Sequence, residues 1–229
     1  MPLVCLQGGN ELTPACRPMD ELLLERAAPG PVVVLPLASK PGSDYERTSA
    51  HAVAYFRGLG ADVVAAPDAR KDAEGALATV DSAGLIVMTG GSPRTLRDAL
   101  DATGVGDSVR ARFAARIPVM GASAGAMVAC TTTLLPQWRG VPNTGPGLGL
   151  VPGYVVVPHF DGARSVWVKT ALAVAEQGVL GVPECSGVMI DIDEHSAVMR
   201  LTAVGVAAST LVTPTERSEL VAGVGFEPT

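Results

Sequence analysis

Short apolar runs alternate with longer amphipathic segments along most of the chain. The runs at 3–7, 32–37, 62–66, 85–88, 117–120 and 154–157 are rich in Val, Leu and Ile, which predicts strands covered on both faces. Between them lie helical patterns at 19–28, 44–58, 72–80, 93–101, 107–115, 124–132 and 164–177. Ser43 and Asp44 precede one of these helices. Ser92 precedes Pro93, at a first-turn position where proline's missing N–H costs nothing. Strands alternating with helices imply parallel strands joined by right-handed crossovers. The expected fold is therefore α/β, a three-layer helix–sheet–helix sandwich around a mostly parallel central sheet. Beyond residue 187 the pattern changes: 187–191, 197–201 and 204–212 read as consecutive strands with short turns, an antiparallel C-terminal edge. Residues 213–229 are mixed in character and read as a loose tail, so 1–229 reads as one catalytic domain.

Composition narrows the function. The chain has 229 residues, 48% hydrophobic and 17% charged, enough for a large core and incompatible with disorder. A net charge of −6, with no cluster of Lys and Arg, argues against nucleic acid as a partner. Mean hydropathy is +0.32, but the excess is Ala and Val spread over short segments. No apolar run approaches the roughly 20 residues a membrane helix needs, so no membrane partner is expected. The first residues lack the basic and long apolar regions of a secretory signal, and the expected location is cytoplasmic. Cys5, Cys16, Cys130 and Cys185 show no paired spacing and are expected as free thiols.

The sharpest motif is Gly121-Ala122-Ser123-Ala124-Gly125, directly after one strand and before a helix. A nucleophile elbow needs that context, with tiny neighbours around a strained serine. The two glycines of Thr89-Gly90-Gly91-Ser92, after another strand, can turn an N–H toward a ligand and, with the N–H of Ala124 at the helix start, complete an oxyanion hole. Gly8-Gly9-Asn10 is a weaker signal of the same type. His159 follows the 154–157 strand, whereas His51 lies inside a helix and His195 in an apparent turn. In open α/β sheets, ligands bind outside the carboxyl ends of the strands, where Gly8, Lys40, Gly91, Ser123 and His159 all fall. Glu184, before the next strand, is the preferred carboxylate to orient the imidazole; Asp161, Asp191, Asp193 and Glu194 compete with it. The acidic stretch 191–195 matches no strong metal-ligand spacing, so no metal is expected. The order Ser, His, acid differs from that of α/β-hydrolases.

The stretches LASKPGSDYERTSAHAVAYFRGLGADVV, LIVMTGGSPRTL, IPVMGASAGAMVA, GLGLVPGYVVVPHF and GVPECSGV resemble the peptidase E/cyanophycinase family of serine peptidases, which shares the class I glutamine amidotransferase fold. The resemblance implies Ser123 as nucleophile, His159 as base, Glu184 as acid, and Gly91 and Ala124 as oxyanion donors. It implies hydrolysis of short peptides by a serine-type exopeptidase or dipeptidase, without cofactor, and is compatible with a homodimer. Ile192-Asp193-Glu194-His195 mimics the acid motif locally, but Glu184 leaves a better fit for the strands that follow. Ser92-Pro93-Arg94 and Pro158 depart from one or other branch, so the specificity of neither is implied. Gly90, Ser92, Lys40 and Arg164 are candidate substrate contacts; Arg94 and Arg139 could also read a substrate charge, such as an acidic residue near the scissile bond. An esterase or amidase on the same site, or a binding module that kept the fold, are the rival readings.

Overall fold

A computed structural model describes residues 1–137, 140–162, 166–193, 198–221, 223 and 225–226. Five parallel strands form the heart of the main sheet: β1 (Leu3–Gln7), β2 (Val32–Leu35), β3 (Val63–Ala65), β4 (Leu85–Met88) and β5 (Val119–Ala122), in the order β1-β5-β4-β2-β3. Their crossovers are α1 (Arg17–Leu24), α2 (Ser43–Gly58), α3 (Ala73–Asp81), α4 (Pro93–Thr103) and α5 (Val105–Ala114). The period-2 alternation of the strands divides the core. Leu3, Cys5, Val32, Val34, Leu85 and Val87 pack with Met19 and Leu23 of α1 and Phe56 of α2. Val4, Leu6, Val33, Leu35, Ile86 and Met88 face the other way, toward Ala76 and Val80 of α3, Leu96 and Leu100 of α4 and Val109 of α5. Both faces are covered, which is why these strands read as unbroken apolar runs. At α4, Ser92 Oγ accepts the N–H of Thr95 at 3.2 Å ahead of Pro93, the cap expected from the sequence. At α2 the cap is Gly42, with no side-chain bond, so Ser43 and Asp44 lie inside the helix.

The remaining strands depart from a simple continuation. After α6 (Ala124–Ala129), the chain makes a hairpin of β6 (Thr132–Leu135) and β7 (Asn143–Pro146). The helix predicted over 124–132 therefore stops at Ala129, ahead of the β-branched Thr131, Thr132 and Thr133. β8 (Tyr154–Pro158) does not join the main sheet. It pairs in parallel with β9 (Gly178–Val182), which pairs antiparallel with β12 (Ser209–Val212) and through it β13 (Arg217–Leu220). A short α7 (Val166–Leu172) connects β8 to β9, so the helix read over 164–177 is shorter and a strand follows it. Gly178 and Gly181 concealed that strand; a Cβ at Gly181 would lie 2.7 Å from the Phe160 ring, so packing demands glycine there. β10 (Ser186–Ile192) and β11 (Met199–Gly205) add antiparallel strands beside β1, with β14 (Gly225–Phe226) outside them. This is the expected antiparallel C-terminal edge, although part of 204–212 belongs to the second sheet. The segment read as a tail contributes β13 and β14. Among the described residues no helix is long and apolar enough to cross a membrane.

Candidate active site

The site grows from the carboxyl ends of β1, β4, β5, β8 and β9. At β5, Ser123 has φ 47° and ψ −104°, outside the regions open to ordinary residues, at a cost on the order of 1–3 kcal/mol. Its surroundings enforce that turn. A Cβ at Gly121 would lie 2.5 Å from the Gly125 backbone, and one at Gly125 would lie 2.2 Å from the Met88 carbonyl oxygen. Both glycines of the motif are thus required by close approach of backbone to backbone. The Ser123 N–H donates to the Gln7 carbonyl at 2.9 Å, tying the elbow to the end of β1.

Ser123 Oγ lies 2.9 Å from His159 Nε2, and His159 Nδ1 lies 2.9 Å from Glu184 Oε1. The side chains of His159 and Glu184 are 50% and 55% exposed, so the chain of hydrogen bonds opens to solvent. The parallel pairing of β8 and β9 brings base and acid together, since both strands end at the same rim and Pro158 stands opposite Val182. Two residues here adopt left-handed backbone: His159 (φ 51°) and Cys185 (φ 52°). Consecutive carbonyls of one loop hold them. The His159 N–H donates to Gly8 O at 2.7 Å, and the Cys185 N–H to Gly9 O at 2.9 Å. That loop, only a weak signal in the sequence, sits directly behind the imidazole. A Cβ at Gly9 (φ 117°) would fall 2.2 Å from His159 Cε1, and one at Gly8 would fall 2.1 Å from the Pro183 carbonyl oxygen.

The second glycine pair faces outward. Gly91 is exposed, with φ 137°, and a Cβ there would lie 2.6 Å from Ala38 O. Ser92 N–H donates to that same carbonyl at 3.0 Å. Two of the anticipated substrate contacts are engaged within the protein: Ser92 Oγ in its helix cap and Gly90 N–H with Glu11 Oε1, at 2.6 Å. Glu11 went unnoticed in the sequence, where a carboxylate two residues after Gly8-Gly9 reads as a solvated loop side chain; its proximity to a glycine pair was the available signal. Lys40 is exposed beyond β2, and Arg94 is exposed in the first turn of α4. Arg164, Arg139, Glu194 and His195 lie outside the described residues. Asp161 and Asp193 each have interactions of their own. Among the described residues no group of three or more His, Cys, Asp or Glu could hold a metal ion.

The four cysteines are free and buried. Burial pushes the thiols of Cys16 to about 11 and Cys130 to about 12, and that of Cys5 higher still, so these three stay protonated at neutral pH.

Among solved structures, the fold is similar to that of a peptidase from an acI-B1 actinobacterium, with a TM-score of 0.82 and 22% identity over 99% of this chain and 97% of that one. It is also similar to a Listeria monocytogenes EGD-e protein provisionally named a peptidase E, with a TM-score of 0.64 and 16% identity over 90% of this chain and 100% of that one. No curated protein matches the sequence significantly. The sequence profile of peptidase family S51 matches residues 4–199, most of the chain. The chain therefore belongs to peptidase family S51, a family of serine peptidases.

Proposed function

We propose that the chain cleaves short peptides through an acyl-enzyme on Ser123. The observation that carries this reading is the pair of 2.9 Å contacts linking Ser123, His159 and Glu184 on a strained elbow. Neutral His159 takes the Ser123 hydroxyl proton through Nε2 as Oγ attacks the scissile carbonyl. Glu184 accepts the Nδ1–H, fixes the tautomer and stabilises the imidazolium. The N–H groups of Gly91 and Ala124 receive the developing oxyanion, each worth about 3 kcal/mol in the transition state. His159 returns its proton to the leaving amine, and water activated by the same imidazole then releases the acyl group. Exposed Lys40, together with Arg164, which lies outside the described residues, would favour substrates carrying an acidic residue near the scissile bond.

Digestion of a synthetic peptide library, followed by mass spectrometry, tests substrate class. The expected result is cleavage of di- to pentapeptides close to one terminus, enriched for Asp or Glu beside the cut. Cleavage confined to p-nitrophenyl esters would leave an esterase on the same site.

A further inference from the structure

The loop at residues 8–11 touches three arms of the site. Its first two carbonyls hold His159 and Cys185, the residue after Glu184, as described above. Its fourth residue reaches a third arm: Glu11 Oε1 accepts the N–H of Gly90 at 2.6 Å, across 79 positions of sequence. The carboxylate is pressed against the glycine itself, since a Cβ at Gly90 would lie 2.6 Å from Oε1 and 3.3 Å from Cδ. A side chain at position 90 would push this carboxylate aside.

The two glycines would otherwise leave four soft backbone torsions between Thr89 and Ser92. Thr89 is buried at the end of β4, so the loop is anchored behind Gly90. Glu11 fixes the plane of the peptide between Thr89 and Gly90 through its N–H. The bond from Ser92 N–H to Ala38 O, at 3.0 Å, fixes the plane between Gly91 and Ser92. Between those clamps, the central peptide, which carries the Gly91 N–H, keeps one concerted rotation in place of four independent ones. A hydrogen bond to a charged acceptor is stronger than a neutral one, which suits a clamp on a glycine pair.

We infer that Glu11 is a positioning residue: its carboxylate holds the Gly90 N–H so that the Gly91 N–H stays aimed at the oxyanion. This inference rests on the oxyanion role given to Gly91 above. Glu11 touches neither substrate nor Ser123 in this account; it acts through the peptide it orients. Loop 8–11 thereby ties base, acid and oxyanion donor to one support, the end of β1.

The test uses the intact chain and a fluorophosphonate probe, which needs no knowledge of the preferred peptide. In that reaction Ser123 Oγ bonds to phosphorus, fluoride leaves, His159 takes the hydroxyl proton, and the phosphoryl oxygen occupies the oxyanion site. Glu11→Ala should slow labelling about 10- to 100-fold while the final stoichiometry stays at one per chain. Glu11→Gln, which keeps the acceptor oxygen, should come within about threefold of the wild type. On a peptide substrate the Glu11→Ala loss should appear in kcat, with KM changed less than about threefold. If Glu11→Ala does not fold, Glu11→Asp, one methylene shorter, should show the slow labelling instead. Wild-type labelling by either shortened variant, or a Glu11→Gln variant as slow as Glu11→Ala, would overturn the inference. A rise in KM confined to peptides with a free amino terminus would overturn it too, and would recast Glu11 as a substrate contact. Ser123→Ala separates the two layers: if it still reacts, the acyl-enzyme reading fails; if it is inert while Glu11→Ala behaves as wild type, only the role of Glu11 fails.

Discussion

Two glycine pairs follow parallel strands at the same rim, and they do different work. Gly8 and Gly9 are buried, and their missing side chains are filled from within the protein by the His159 ring and the Pro183 carbonyl. Gly90 and Gly91 lie nearer solvent; Gly91 is exposed, and the space over Gly90 is taken by Glu11. The first pair makes room for the imidazole and the Pro183 carbonyl, and the second leaves the Gly91 backbone exposed. A glycine pair after a strand thus signals close approach without saying what approaches.

That contrast can be broken by adding one methyl group to each pair. Gly9→Ala has the larger expected effect. Its Cβ would fall 2.2 Å from His159 Cε1, and φ 117° strains any L side chain, so the imidazole is pushed away from Ser123. The kcat/KM should fall on the order of 10³–10⁴-fold, because base and nucleophile act as a unit. Gly91→Ala should cost on the order of 10²-fold, mostly in kcat, because its Cβ meets Ala38 O and displaces one oxyanion donor while Ala124 remains. Steady-state kinetics on a cleaved peptide decides between them. Equal losses, or the reverse order, would mean that the loop behind the histidine is mere scaffold.

A smaller effect concerns what anchors the first pair. Gln7, the last residue of β1, donates from Nε2 to Asp20 Oδ1 at 2.6 Å, and Tyr55 OH donates to Asp20 Oδ2 at 2.6 Å. Burial raises the Asp20 carboxyl to about 6, outweighing those two bonds. Its unfolded value is near 3.8, so between these values the folded chain binds the proton more tightly. The resulting stability is fully present below about pH 4 and is lost as pH rises through 6, an effect of about 2–3 kcal/mol. Thermal melts of the wild type should therefore weaken relative to Asp20→Asn between pH 4 and 7. Parallel pH profiles for the two would contradict the burial account. Asn at position 20 keeps an oxygen that can accept from Gln7 Nε2, so Asp20→Asn should leave the rate of Ser123 labelling within about twofold.

Local chemistry was largely legible in the sequence. The elbow at Ser123 announced itself because only tiny residues fit between β5 and α6, and the five parallel strands because both of their faces are apolar. The strands left over after it favour Glu184 over Glu194 in the sequence; in the structure Glu184 sits on the loop after β9, 2.9 Å from His159. Long-range pairing was not legible. An apolar run such as Tyr154–Pro158 predicts a buried strand but says nothing of which sheet it joins, and β8 went to the second sheet. β9 was missed because Gly178 and Gly181 lower its strand character, although Phe160 requires Gly181. β7, Asn143–Pro146, has no apolar alternation to detect. Glu11 is hidden for a different reason: its partner lies 79 residues away.

The central claim is that Ser123 attacks with His159 as base and Glu184 as its orienting acid. The most direct measurement is kcat on one cleaved peptide for Ser123→Ala, His159→Ala, Glu184→Gln and Glu194→Gln, each normalised to folded protein. The first two should each lose 10⁴–10⁶-fold, and Glu184→Gln about 10²–10⁴-fold, because the imidazole survives without its orienting charge. Glu194→Gln should stay within about threefold of the wild type. Full activity in Ser123→Ala, or loss in Glu194→Gln with Glu184→Gln untouched, would contradict the account.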